Sequence, residues 1–128
     1  MTKILFLCPH NAAKSILAAA YATKLAQQRG LNLTIDTAGT EPSEQVSPKV
    51  LEFLKTQAMD FSTIPRKVNS DDIRSATHII SMGCDLQDLP LHSETLEQWD
   101  DITPVSQDLE AAWQRITSRV QKLLETLA

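Results

Sequence analysis

Lys3-Ile4-Leu5-Phe6-Leu7 is a mostly apolar run, the pattern of a central parallel strand covered on both faces. Ile16-Leu17-Ala18-Ala19-Ala20-Tyr21-Ala22 then predicts a helix from about Ser15 to Gln28, with Gly30 as its C-terminal stop. Leu31 to Thr37 alternates apolar and polar, a strand with one wetter face. Gly39 and Pro42 fall in a polar loop. Ser47-Pro48 predicts a helix start, Ser as N-cap and Pro in the first turn, with Val50, Leu51, Phe53 and Leu54 as the buried stripe to about Gln57. Ser70-Asp71-Asp72 predicts the cap of a short helix ending near Ala76. Thr77 to Met82 reads as a third strand running straight into Gly83-Cys84. A polar stretch holding Pro90 and Trp99 follows from Asp85 to Asp101, and a short fourth strand is expected near Ile102. The last helix is expected from Gln107 to Leu127 with Ser106 as N-cap. Leu109, Trp113, Ile116, Val120, Leu123, Leu124 and Leu127 follow helical spacing and read as core.

Strands alternating with helices predict an α/β fold, a three-layer sandwich with a central, four-stranded parallel sheet flanked by helices. The 128 residues suit a single domain, 1–128. Crossovers are taken as right-handed. In such sheets ligands bind beyond the C-terminal ends of the strands. Cys8, Gly39, Cys84 and the loop before Pro104 all fall at that edge, so two cysteines far apart in sequence can meet at one site.

A net charge of −4 leaves no basic footprint for nucleic acid. No apolar run approaches the ~20 residues that span a bilayer, so no membrane association is expected. The first strand begins at the N-terminus with no signal or transit segment before it, and a cytoplasmic location is the expectation. Hydrophobic content of 42% and charged content of 22% are ordinary for a globular domain. Cys8 and Cys84 form no Cys-x-x-Cys pair, and His10, His78 and His92 are scattered; no metal and no organic cofactor are expected. In a reducing compartment the two thiols suit a redox pair better than a structural disulfide.

Cys8 stands where a strand passes into a helix, within Cys8-Pro9-His10-Asn11-Ala12-Ala13-Lys14-Ser15. First-turn N–H groups and the helix dipole favour an anion there, and the same field populates a thiolate. The backbone from Pro9 through Ser15 is the expected cradle for a tetrahedral oxyanion. Asn11 suits a left-handed position that shapes the loop. Ser15 is placed to donate to Cys8. His10 could contact substrate or tune Cys8, or be a passive loop side chain.

These elements, in this order, resemble the low-molecular-weight protein tyrosine phosphatase superfamily, nearest its thiol-linked arsenate reductase branch, over nearly the whole chain. The family loop reads Cys, five residues, Arg, Ser, with Asn at the fourth place; Cys8, Asn11 and Ser15 match. Ala38-Gly39-Thr40 looks like the element after the family's second strand. Val46, Pro48 and Asp60-Phe61-Ser62 fit its middle region, and Trp99 with Pro104 fits the segment that carries its catalytic Asp. The resemblance implies Cys8 as nucleophile, Ser15 as its hydrogen-bond partner, and the loop as the oxyanion site.

Two departures stand beside the matches. Lys14 occupies the place of the family's Arg, and a point charge replaces a planar fork that grips two oxygens, a change on the order of 10²–10³ in rate for phosphoryl transfer. Thr103 falls where the family has Asp, and Thr cannot protonate a leaving group. Asp101, or Asp100, could take that role if the loop shifts; the other reading is two solvated carboxylates. The second Cys that such phosphatases usually carry inside the loop is Ala13 here. The reductases carry resolving cysteines after the third strand, where Cys84 lies; they commonly have two, and this chain has one.

Three readings remain open on the sequence. The first is an arsenate reductase-like enzyme, with Cys8 attacking arsenate beside Lys14, Cys84 or glutathione resolving, and thioredoxin or glutaredoxin as external reductant. The second is a residual phosphomonoesterase. The third is a catalytically impaired oxyanion- or phosphopeptide-binding protein. Arg66-Lys67 could approach an anionic substrate or be surface charges. Asp36 and Asp85 have no argued role, and Trp99 is expected to pack at the sheet edge or roof the site.

Overall fold

A computed structural model describes residues 2–59, 61, 63–84, 86 and 95–127. Asp60, Ser62, Asp85, Pro90 and His92, singled out above, lie outside them. The chain runs β1 (Thr2–Leu7), α1 (Lys14–Arg29), β2 (Leu33–Ala38), α2 (Pro48–Thr56), α3 (Ser70–Ser75), β3 (His78–Ser81), β4 (Leu96–Gln98) and α4 (Leu109–Leu127). The strands form one sheet in the order β2-β1-β3-β4, and every pairing is parallel.

β1 is the inner strand that its unbroken apolar run requires. Ile4 and Phe6 join one buried cluster with α1, α2 and α4; Leu5 and Leu7 join another with Val68, Ile73 and Ala76 near α3. Successive strand residues point to opposite faces, so one run feeds both cores. The flanked four-stranded parallel sheet is therefore as expected. On α1, Ala18, Ala19, Ala22 and Ala26 are buried, and their short side chains let the helix lie close to the sheet and α4. Gly30 ends α1 in the left-handed conformation, φ 66°.

Three boundaries differ from the sequence reading. The fourth strand is Leu96–Gln98, pairing with Ile79–Ser81, whereas Ile102 is buried in the loop beyond it. The cap of α3 is Asn69, not Ser70: Asn69 accepts from Asp72 N–H while the Asp72 side chain accepts from Asn69 N–H. At α4, Asp108 Oδ1 accepts from Ala111 N–H at 3.1 Å. Ser106 lies in the preceding turn, in which Pro104 O accepts from Gln107 and Asp108.

Trp99 is part of the core. It is 1% exposed, its ring centroid is 6.1 Å from that of Phe6, and its Nε1 donates to Glu97. Among the described residues, no helix is long and apolar enough to cross a membrane.

Candidate oxyanion site

The C-terminal ends of three neighbouring strands deliver the site. Cys8 follows β1, Gly39 follows β2, and Gly83-Cys84 follows β3. The loop from Cys8 to Ser15 is strapped from outside through its carbonyls. Pro9 O, His10 O and Ala12 O accept from Glu41, Ser43 and Ser47 at 2.7, 3.0 and 2.9 Å. With these carbonyls turned outward, the N–H groups of His10, Ala12 and Ala13 find no protein acceptor among the described residues. Ala13, at the start of α1, supplies no side-chain cap. A row of free N–H donors beside a helix N-terminus is what a tetrahedral anion needs. Asn11 has φ 49° and is fully buried, the left-handed position expected of it.

Cys8 is 4% exposed. Its Sγ lies 3.0 Å from Ser15 Oγ and accepts from Ser15 N–H at 3.4 Å. Ser15 Oγ in turn accepts from Asn11 Nδ2 at 2.9 Å.

A groove of about 440 Å³ opens over the loop. Cys8, His10 and Lys14 of the loop line it together with Ser43, Ser47, Lys49, Pro104 and Val105. The expected loop residues Pro9, Ala12 and Ala13 line it too. His10 is exposed and its Nδ1 bonds Glu41 O at 3.0 Å, so the ring stands at the rim. Lys49 was not legible as a groove residue: the Ser47-Pro48 helix start was, but only the strap to Ala12 swings that start over the loop. A second hollow of about 480 Å³, lined by Glu97 of β4 and by residues of α4, includes no residue of this loop.

Cys84 reaches the same edge from β3. Burial pushes its thiol up to about 11, and the nearby Cys8 adds to that, while Thr40 and Lys14 act the other way. Among the described residues Ser81 Oγ is buried with no partner at full hydrogen-bond distance, so its hold on Cys84 is a longer, weaker contact.

Asp101 does not join them. Its carboxylate turns to α4, paired with Arg119 and, at 3.4 Å, with Arg115. The Arg119 hydrogen bond holds it below the usual carboxylate range, the wrong state for an acid that must give up a proton. Arg66, considered above as a possible approach to substrate, is instead committed to Asp36 and Asp72.

Gly39 makes the close approach possible. A Cβ there would lie 2.6 Å from Pro9 O and 2.8 Å from Cys8 O. Both are backbone atoms, so the loop itself must move. Gly39→Ala is expected to destabilise the fold by about 1–3 kcal/mol and to weaken phosphate protection of Cys8 against alkylation. A melting temperature and protection equal to wild type would show that the loop is not held by this contact.

A Halobacterium salinarum protein named "Putative arsenate reductase" is 30% identical over 112 residues, covering 85% of this chain and 79% of its own. Corynebacterium glutamicum thioredoxin-dependent arsenate reductase Cg_ArsC1' superposes with a TM-score of 0.81 at 25% identity. That match covers 98% of this chain but 61% of the other, so this chain spans less than two thirds of that enzyme's length. YfkJ from Bacillus subtilis superposes with a TM-score of 0.90 over 99% of this chain and 94% of its own, at 21% identity, and carries the fold alone. The match to the family described as "Low molecular weight phosphotyrosine protein phosphatase" runs over residues 3–107, from β1 through the Cys8 loop to the Pro104 segment, and the chain belongs to that family.

Proposed function

We propose that this protein reduces arsenate, with Cys8 as nucleophile, the loop N–H groups and Lys14 as the oxyanion cradle, and Cys84 as the resolving thiol. The observation that carries the reading is the second thiol: Cys84 follows β3 and Cys8 follows β1, neighbouring parallel strands, so both stand at the same edge of the sheet. The Cys8 thiolate attacks arsenic and displaces one oxygen as water, taking two protons. The Cys84 thiolate then attacks Cys8 Sγ. A disulfide forms, the sulfur–arsenic electron pair stays on arsenic, and arsenite leaves after protonation. Two thiols are thereby oxidised and arsenic(V) becomes arsenic(III). An external dithiol of the thioredoxin or glutaredoxin class returns the disulfide to two thiols, or glutathione resolves in place of Cys84. A named relative that depends on thioredoxin supports the first of these reductants.

The test is to incubate fully reduced protein with arsenate and map both thiols by mass spectrometry. A Cys8–Cys84 disulfide that forms only with arsenate, with one arsenite released per disulfide, is the expected result. Arsenite release that begins only when glutathione is added, with a Cys8–glutathione mixed disulfide and Cys84 still reduced, would assign resolution to the external thiol. Cys84 also sets a pH dependence. With its thiol near 11, only about 10⁻⁴ is thiolate at pH 7. Single-turnover disulfide formation is therefore expected to rise roughly tenfold per pH unit between pH 7 and 9. A flat profile would mean that Cys84 does not attack as a free thiolate.

A second reading is favoured by Lys14 and Thr103 together. It is an anion-binding protein that holds phosphate or a phosphopeptide without turnover. Phosphate affinity with neither arsenite production nor ester hydrolysis would select it.

A further inference from the structure

Arg66 lies outside the groove, and nothing above gives it a part in the chemistry. Its guanidinium is nevertheless tied on two sides. Nη1 and Nη2 bond the Asp72 carboxylate at 2.8 and 2.9 Å, and Nη2 also bonds Asp36 Oδ2 at 2.8 Å. Asp36 belongs to β2, and Asp72 closes the capping box of α3. A planar fork shared between two carboxylates fixes both distance and orientation. The Arg66 backbone is held as well. Its carbonyl accepts from Gly39 N–H at 2.9 Å, and its N–H donates to Asn11 Oδ1 at 3.1 Å.

We propose that Arg66 is a positioning residue that sets the direction of the hydrogen-bond chain ending on Cys8. A side-chain amide has an acceptor end and a donor end, and either could face Ser15. A backbone N–H can only donate. By taking Asn11 Oδ1, Arg66 turns the Asn11 NH₂ toward Ser15, where Nδ2 donates to Oγ at 2.9 Å. Ser15 Oγ has then accepted, and its own proton is free for Cys8 Sγ at 3.0 Å. The chain thus runs one way, from Arg66 N–H through Asn11 and Ser15 to sulfur. Asn11 and Ser15 are both 0% exposed, so no solvent replaces a lost link. With the amide reversed, Ser15 would donate to Asn11 and offer a lone pair to the thiolate. The ion pairs matter to the site because they hold the Arg66 backbone where its N–H meets Asn11.

The proposal rests on reading Cys8 as a reactive thiolate, and its test separates the two. Cys8 alkylation by iodoacetamide is followed by mass spectrometry at pH 6 and pH 9, in wild type, Arg66→Met, Arg66→Lys and Asp36→Asn. Arg66→Met is expected to slow Cys8 alkylation about tenfold at pH 6 and less than about twofold at pH 9, because alkali restores the thiolate without the donor. Arg66→Lys and Asp36→Asn should fall between. A merely structural role would change both pH values alike, and equal rates at pH 6 would overturn the proposal. Should Arg66→Met unfold, Asp36→Asn decides alone: its carboxylate is half-exposed, a roughly threefold drop at pH 6 is expected, and no drop overturns the proposal. If wild-type Cys8 at pH 6 reacts no faster than free cysteine, the nucleophile reading itself fails, a different outcome from a variant that matches a fast wild type.

Discussion

Cys8→Ser is expected to abolish arsenite production, a fall of more than about 10³-fold, while leaving phosphate binding within a few-fold of wild type. The asymmetry follows from which atoms do what. In the proposed site the loop N–H groups would hold the anion; the carbonyls of that loop are strapped to residues 41–47, and none of those straps involves the Cys8 side chain. Sulfur alone supplies the two chemical properties the reaction needs. A thiol is a stronger acid and a better nucleophile than a serine hydroxyl, and only sulfur can form the disulfide that is left when two thiols give their electrons to arsenic. The measurement pairs arsenite production with a phosphate titration on the same protein. Arsenite production that survives Cys8→Ser would remove Cys8 as the nucleophile. Loss of phosphate binding as well would show that the thiol helps hold the loop.

Some of this fold and site is local in the sequence and some is not. β1, α1 and the loop between them were legible because the apolar run, the helical pattern and the loop motif are contiguous, and they form contiguous elements. The position of β4 was not. Leu96–Gln98 has three residues, two of them exposed polar ones, so no period-two signal exists and pairing with β3 alone defines it. The α3 cap failed for a different reason: Asn69 and Ser70 are equally good capping residues, and only the reciprocal bond with Asp72 separates them. Asp101 lay at a plausible distance along the chain from Pro104, but its direction is set by Arg115 and Arg119 on a helix that starts later. Arg66 was hardest. One of its carboxylates is 30 positions away and its amide partner 55, and nothing in the local pattern distinguishes it from an ordinary surface cation.

Lys14→Arg is expected to raise hydrolysis of an aryl phosphate by on the order of 10², with little change in arsenite production. Lys14 lines the groove at the start of α1, where the family's loop carries Arg. In phosphoryl transfer the equatorial oxygens spread charge as the bond to the leaving group breaks. A planar fork with two parallel donors follows that change better than an ammonium. Arsenate reduction makes a smaller demand: the anion must be neutralised and held while sulfur attacks, and a point charge does both. The substrate should carry a good leaving group, such as 4-nitrophenyl phosphate, because Thr103 cannot protonate a poor one and Asp101 is held ionised by Arg119. A rise confined to kcat places the added donors on the transition state, whereas a fall in KM alone places them on the bound ester. No rise in either would mean that Lys14 does not sit where the family's Arg acts. Weak ester hydrolysis would then trace to the missing acid alone, and Thr103→Asp would become the substitution expected to raise it.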